Sequence, residues 1–382
     1  MREPLWSRRR LLLTLAASPG LAAAQSGANA IFDGRSLAGW TIADGPPTAF
    51  YVEDGAIVAH RTSAFPTWLR YNKELENFDF SCEFFVKGWT DGAVYVHAPE
   101  FGRRAETGMA VKIFHQVEPQ PLISSAGAIL GVLPPRRIAV RPEWNTLRIA
   151  MDWPSLKVWM NGEIVQDVNA DEHPELRYRL RRGYLGLSPL GYEHRFRNLT
   201  LRELPSKTRW EPLFETDRHL EENWWVSESR TDRAPVKFQA INGILRGEGI
   251  GHIATKKQYR DFDLSMYVRG PAQHNSGVLF RTEGKGLEGK RHYEIQIHNV
   301  EEAHFPTGSL YYRQRAAYPR IQDNEWFPLQ LIVEGPRCVV RVNGDTVMTY
   351  ARLDDTAAGH IELQAHAVAS WIEFRQVRVR AL

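Results

Sequence analysis

Apolar residues occupy every second position through Phe78, Phe80, Cys82, Phe84 and Val86, with Asp79, Ser81 and Glu83 between them. A period of two is that of a half-buried β-strand. Phe262, Leu264, Met266 and Val268 repeat the pattern later in the chain. Asn161-Gly162 and Asn343-Gly344 each stand between short β-prone runs. Both residue types tolerate positive φ, so each pair predicts a tight type I′ hairpin. No long segment sustains a helical period. Many short strands separated by turn signals predict an all-β protein built as antiparallel sandwiches of the jelly-roll type.

The pattern occurs twice. Phe32 matches Phe214, Phe78-Asp79-Phe80 matches Phe262-Asp263-Leu264, and Gly92 matches Gly277. Glu143-Trp144 then matches Glu325-Trp326, Asn161-Gly162 matches Asn343-Gly344, and Phe196-Arg197-Asn198-Leu199 matches Phe374-Arg375-Gln376-Val377. Order is kept throughout and the offset drifts only between 178 and 185 residues, as loop insertions do to two copies of one fold. The copies are expected over residues 30–204 and 211–382, joined by a linker at Leu204-Pro205-Ser206-Lys207.

Residues 1–24 fall outside both copies. Arg8-Arg9-Arg10, the apolar run Leu11 to Ala17 and Ala22-Ala23-Ala24 form a secretory signal, and Ser7-Arg8-Arg9 before Leu11-Leu12 resembles a twin-arginine signal. The sequence therefore predicts cleavage near Ala24-Gln25, a periplasmic or secreted protein, and no membrane span in the mature chain. The leader carries four Arg and one Glu, so the rest of the chain balances 44 basic against 44 acidic side chains. A neutral chain lacks the electrostatic footprint of a nucleic-acid binder and points to uncharged partners such as sugars. Cys82 and Cys338 fall in different copies and are expected to be unpaired and buried.

Candidate chemistry gathers in the second copy. Across residues 293–298, Glu294, Gln296 and His298 share one strand face, while Tyr293, Ile295 and Ile297 share the other. Glu362, Gln364 and His366 alternate with Ile361, Leu363 and Ala365 in the same way, and Phe280 alternates with Arg281. Gln, Glu and Arg can grip vicinal hydroxyls, and Tyr311, Tyr312 or Trp326 can stack on a pyranose. The same pattern also describes plain solvated strand faces, with Arg281 and Glu294 as an ion pair. His252 falls near a strand end, where solvated histidines are common. No zinc spacing, nucleophile elbow, phosphate loop or dinucleotide fingerprint is present. No cofactor is expected, and a weakly held divalent cation on oxygen ligands is the only metal for which the sequence leaves room.

These motifs resemble the 3-keto-disaccharide hydrolase-like domains, whose fold is a concanavalin A-like jelly roll. The likeness lies in Ile31-Phe32-Asp33-Gly34-Arg35-Ser36-Leu37-Ala38-Gly39-Trp40, in Asn275-Ser276-Gly277-Val278-Leu279-Phe280-Arg281, in Tyr293-Glu294-Ile295-Gln296-Ile297, in Glu143-Trp144-Asn145-Thr146-Leu147-Arg148 and in Phe196-Arg197-Asn198-Leu199. It implies cleavage of 3-keto-glycosides, as hydrolase or lyase. A ketone at C3 acidifies the C2 proton, so a base can remove it and the enolate can expel the C1 substituent. The resemblance implies Glu294 or His298 as base and Arg281 as the group that stabilises the enolate. Asn275, Gln296, Gln364 and His366 become substrate contacts, with Tyr311 and Trp326 for stacking. His298 stands where the family turns acidic, and Ala365 replaces the acid of a Gln-Asp-His-Gly pattern. The first copy carries Val96, Ala110, Lys112, Ser188 and Leu190 in place of Arg281, Glu294, Gln296, Gln364 and His366. Its site is therefore expected to be degenerate. The alternative function is a lectin-like module that binds carbohydrate without chemistry.

Overall fold

A computed structural model describes residues 27–382 apart from Gly191, Arg233, Lys290 and Arg320. The signal segment expected at residues 1–24 lies outside the described residues. In the first copy two antiparallel sheets face each other across an apolar core that includes Phe78, Phe80, Phe84, Val94, Ile149 and Phe196. One layer runs through Glu163–Asn169, Ser155–Met160, Glu143–Asp152, Asn77–Val86, His194–Leu204, Ala56–Ala59 and Phe50–Glu53. The other runs through Trp40–Ala43, Trp68–Leu75, Gly183–Pro189, Asp91–Ala98 and Met109–Phe114. The alternation along 78–86 acts as its period requires, since Phe78, Phe80, Cys82, Phe84 and Val86 are all buried.

The second copy repeats this arrangement with one continuous difference. His360–Ala381 is a single long strand that pairs with Ile244–Thr255 from Glu362 to Phe374; its first half also pairs with Ser276–Thr282 and its second half with Phe262–Arg269. It thus passes from one layer to the other, where the first copy uses the two strands Gly183–Pro189 and His194–Leu204. Both Asn-Gly pairs turn hairpins with positive φ at each residue, 52° and 82° at Asn161-Gly162 and 49° and 90° at Asn343-Gly344. This is the backbone of a type I′ turn. Both cysteines are free and buried.

The copies dock against each other. Arg341 donates to the carbonyl oxygens of Tyr178 and Glu106, the latter at 2.9 Å. The Arg103 N–H donates to Asn343 Oδ1 at 2.8 Å, and the Glu100 N–H to Tyr267 Oη at 2.7 Å. Arg378 reaches Glu74 at 2.8 Å.

Candidate functional site

The floor of the candidate site is the outer face of the layer formed by Ile244–Thr255, the first half of His360–Ala381, Ser276–Thr282 and Tyr293–Ile297. Val278, Phe280, Tyr293, Ile295, Ile297, Ile361, Leu363 and Ala365 point from these strands into the core. Alternation sends the residues between them outward. Cross-strand register then sets the neighbours. His252 stands opposite Gln364, and Val278 opposite Leu363, which places Gly277 beside Gln364, with Gln296 opposite Gly277 on the far side. One row over, Glu362 stands opposite Leu279, and Leu279 opposite Glu294.

Gly277 is a gap in this floor. A Cβ there would lie 2.4 Å from Glu294 Oε1, so the carboxyl of Glu294 leans over the bare backbone. Glu294 is only 6% exposed, and among the described residues its carboxyl has no hydrogen-bond partner. Burial pushes its pKa up to about 7, against a smaller opposing pull from His252. Gln364 is almost wholly buried, and its Oε1 has no partner either. Gln296 Nε2 donates to Asn275 Oδ1 at 2.7 Å. His298 shares the face of Glu294 and Gln296, and its Nδ1 lies 2.8 Å from the His274 carbonyl oxygen. His366 is exposed at the same edge, and Asn275 and His366 line a shallow depression with Gly247, Gly249 and Trp371.

An aromatic wall borders Glu294. The Tyr311 N–H donates to the Glu294 carbonyl oxygen at 2.9 Å, and Leu310 bridges Ile295, so Tyr311 falls on the face of Glu294. The Tyr311 ring lies 4.3 Å from Tyr312 and 5.3 Å from Phe305. Tyr312 is 80% exposed.

Two residues expected at the site are elsewhere. Arg281 does not join Glu294, because the register slips between Leu279 and Thr282 and Arg281 sits at φ 54°. This β-bulge adds one residue, so Thr282 takes the outward position that strict alternation gives to Arg281. The Arg281 guanidinium is fully buried and donates to the carbonyl oxygens of Arg260, Asp355 and Gly335 and to Asp261. Its donors are used in holding loops together. Trp326 lies in the seam between the copies, with its ring 6.0 Å from Phe101 and under the Arg269 guanidinium.

The structure adds residues that alternation along a single strand does not reveal. His252 Nδ1 lies 3.4 Å from Glu362 Oε2 and 3.7 Å from Glu228 Oε2. Glu362 is fully buried and accepts from Ser227 Oγ at 2.6 Å, from Thr282 Oγ1 and from the Gly286 N–H at 3.1 Å. Burial alone pushes the Glu362 pKa up, but contact with His252 and the hydroxyls of Ser227 and Thr282 outweigh it and hold the group below its ordinary value. The Leu287 N–H donates to Glu228 Oε2 at 2.7 Å. Glu362 was legible in the alternation of 361–366. His252, Glu228 and Phe305 depend on pairing and loop course, for which the sequence carries no local signal. No group of three or more His, Cys, Asp or Glu among the described residues is arranged to hold a metal.

The first copy has no such face. Ala93 stands opposite Lys112 and Ser188, so it takes the place of Gly277, one residue on from the Gly92 that sequence matching pairs with it. Leu69 stands opposite Leu187, which places Trp68 beside Ser188, where the second copy has His252 beside Gln364. Ala43 opposite Trp68 replaces Glu228, and Gly186 replaces Glu362. The Trp68 indole is fully buried against Tyr95 at 5.7 Å and Tyr184 at 6.5 Å, with the Arg104 guanidinium 4.6 Å over its ring. Lys112 and Asp91 form an ion pair where Gln296 and Asn275 hydrogen-bond.

Fold and floor together define a tandem jelly-roll protein of the carbohydrate-related kind. The sequence profile of the 3-keto-alpha-glucoside-1,2-lyase-like domain matches residues 27–202 and again 209–380, and the chain belongs to that family as two tandem copies. No curated protein matches it. Among solved structures it is similar to a candidate glycosyl hydrolase from Parabacteroides distasonis, at 19% identity over 47% of this chain and 95% of that one, with a TM-score of 0.42. It is also similar to the carbohydrate-binding module CBM66 from Bacillus subtilis, at 13% identity over 42% of this chain and 96% of that one, TM-score 0.32. A β-glucanase from Bacillus licheniformis matches at 10% identity over 47% of this chain and all of that one, TM-score 0.34.

Proposed function

We propose that the second copy cleaves 3-keto-glycosides by removing the proton at C2, with Glu294 as the base. The observation that carries this reading is a buried carboxyl without a protein partner, its pKa raised to about 7, hanging over a floor that lacks a side chain. A base works best when its pKa is close to the working pH, and desolvation also removes the water that would otherwise compete for the proton. Family membership supports the substrate class. The unpartnered Gln364 Oε1 is available to accept from a substrate hydroxyl, and Gln296 with Asn275 holds neighbouring hydroxyls. Tyr311 and Phe305 offer a flat apolar wall to the ring. The sequence of residues 1–24 supports export of this activity to the periplasm or beyond.

A 3-keto-glucoside with a chromogenic aglycone tests the reading. Release of the chromophore is expected, and Glu294→Gln should lower turnover roughly 100-fold or more while leaving sugar affinity nearly unchanged. Saturable binding without release overturns the enzyme reading in favour of a carbohydrate-binding module. Fractionation with N-terminal sequencing should find a mature chain starting near Gln25, and an intact Met1 in the cytosol overturns the export proposal.

A further inference from the structure

We propose that His252 is the acid that protonates the departing oxygen at C1, with Glu362 and Glu228 as the positioning residues that aim its ring. This inference rests on the reading of the site as one that cleaves 3-keto-glycosides.

Position comes first. His252 and Glu294 stand on opposite sides of the floor made by Gln364 and Gly277. The strands His360–Ala381 and Ser276–Thr282 lie between theirs, so three inter-strand spacings, on the order of 14 Å, separate their backbones. The Glu294 carboxyl leans inward over Gly277, so it and the imidazole flank the Gln364–Gly277 pair from its two sides.

Orientation follows from the two carboxylates. Both lie on the Nδ1 side of the ring, at 3.4 and 3.7 Å, and neither can swing away. Ser227, Thr282 and the Gly286 N–H fix Glu362, and the Leu287 N–H fixes Glu228. Gly286 has φ 56°, and a Cβ on it would lie 2.0 Å from Glu228 Oε2 and 2.6 Å from His252 Nδ1. The turn thus packs its bare backbone directly on the pair. Nδ1 faces the two carboxylates at ion-pair distance without an aligned hydrogen bond, and Nε2 has no protein hydrogen bond among the described residues. A histidine oriented by a carboxylate on one nitrogen and free on the other is the arrangement of an acid–base group.

The reaction needs such a group. Glu294 accepts the proton when the C2–H bond breaks, and the bonding pair becomes the enolate of the C3 ketone. When the enolate collapses, a C1–C2 double bond forms and the C1–O bond breaks, its pair going to the leaving oxygen. That oxygen takes the proton from His252 Nε2, giving an alcohol and a 3-keto-1,2-ene. Exchange with water returns a proton to His252 and removes one from Glu294. Where the C2 proton and the C1 oxygen leave from opposite faces of the ring, Glu294 cannot reach both, and a second group must supply the proton.

The chain supplies its own comparison. Where the second copy has Glu228, His252, Glu362 and Glu294, the first has Ala43, Trp68, Gly186 and Ala110. The three partners and the base are lost together, as members of one device are.

The test compares two 3-keto-glucosides, one releasing nitrophenol, which departs without a proton, and one releasing methanol, which does not. His252→Asn should lose about 100-fold or more on the methyl glycoside and less than about tenfold on the nitrophenyl one. Glu362→Gln should show the same bias at smaller size. The ratio of the two rates within one preparation does not depend on how much of the variant folds. Equal losses on both substrates overturn the role of His252 alone. A wild-type protein that cleaves neither overturns the 3-keto-glycoside reading and this inference with it.

Discussion

Glu294 combines two consequences of one burial. Removing a carboxyl from water disfavours its charge, and only a smaller pull from His252 opposes this, so its pKa rises from 4.5 to about 7. A carboxyl whose pKa rises on folding holds its proton more tightly in the fold. Its contribution to stability is therefore full below pH 4.5 and is lost as pH climbs to about 7. The loss is on the order of 3 kcal/mol. Activity runs the other way, because the base works only when ionised. Turnover of the nitrophenyl 3-keto-glucoside, whose leaving group needs no acid, should rise with pH and level off above about 7, while the melting temperature of the second copy falls over the same range. Glu294→Gln should abolish that fall and melt several degrees above wild type at pH 8, with no gain at pH 4. A thermal melt at the two pH values checks this.

Single-strand alternation gave Glu294, Gln296, His298, Gln364 and His366 their shared face, since a side-chain period of two needs only sequence. It failed at Arg281 for a physical reason. A bulge adds one residue to a strand without any change of composition, and everything after it switches face. Alternation also says nothing about which strand lies beside which, and so His252 stayed hidden although Gln364 was in view. The glycine opposite Gln296 is where both levels meet. A methyl group on Gly277 would meet the far end of the Glu294 side chain, at 2.4 Å from Oε1 and 3.0 Å from Cγ, rather than backbone. The carboxyl can swivel aside, so Gly277→Ala should leave the melting temperature within a few degrees of wild type. It should lower kcat by about tenfold or more, because a base displaced by an ångström loses its line to the C2 proton. Unchanged kcat would show that Glu294 does not act from its position over Gly277.

At the scale of the whole molecule the duplication keeps one fold and divides its uses. Both copies retain the Asn-Gly hairpin, but a Cβ on Gly162 would meet nothing, whereas one on Gly344 would lie 2.7 Å from Glu106. The second hairpin is thus the docking element, pressed against the short helix Arg104–Thr107, and the buried Arg341 beside it donates to Tyr178 and Glu106 across the seam. Arg341→Leu would leave those two carbonyl oxygens without a donor, each worth about 1 to 3 kcal/mol, and should uncouple the copies so that calorimetry resolves two transitions. Their pH dependence should then identify them. In the first copy burial pushes His194 down to about 4, so it is neutral in the fold while the unfolded chain takes up a proton below 6.5. Stability from that group is full above 6.5 and is lost as pH falls to about 4, again on the order of 3 kcal/mol. The second copy loses its share on the alkaline side through Glu294. His97 of the first copy is pushed down to about 4 as well, whereas His274 and His366 of the second are lowered less, so the transition that drops more in acid should belong to the first copy and the one that drops above neutrality to the second. Adding Glu294→Gln to Arg341→Leu should remove only the alkaline shift. One transition at every pH would mean that the remaining contacts of the seam, such as Arg378 with Glu74 and Arg103 with Asp345, suffice to melt the two copies as a unit.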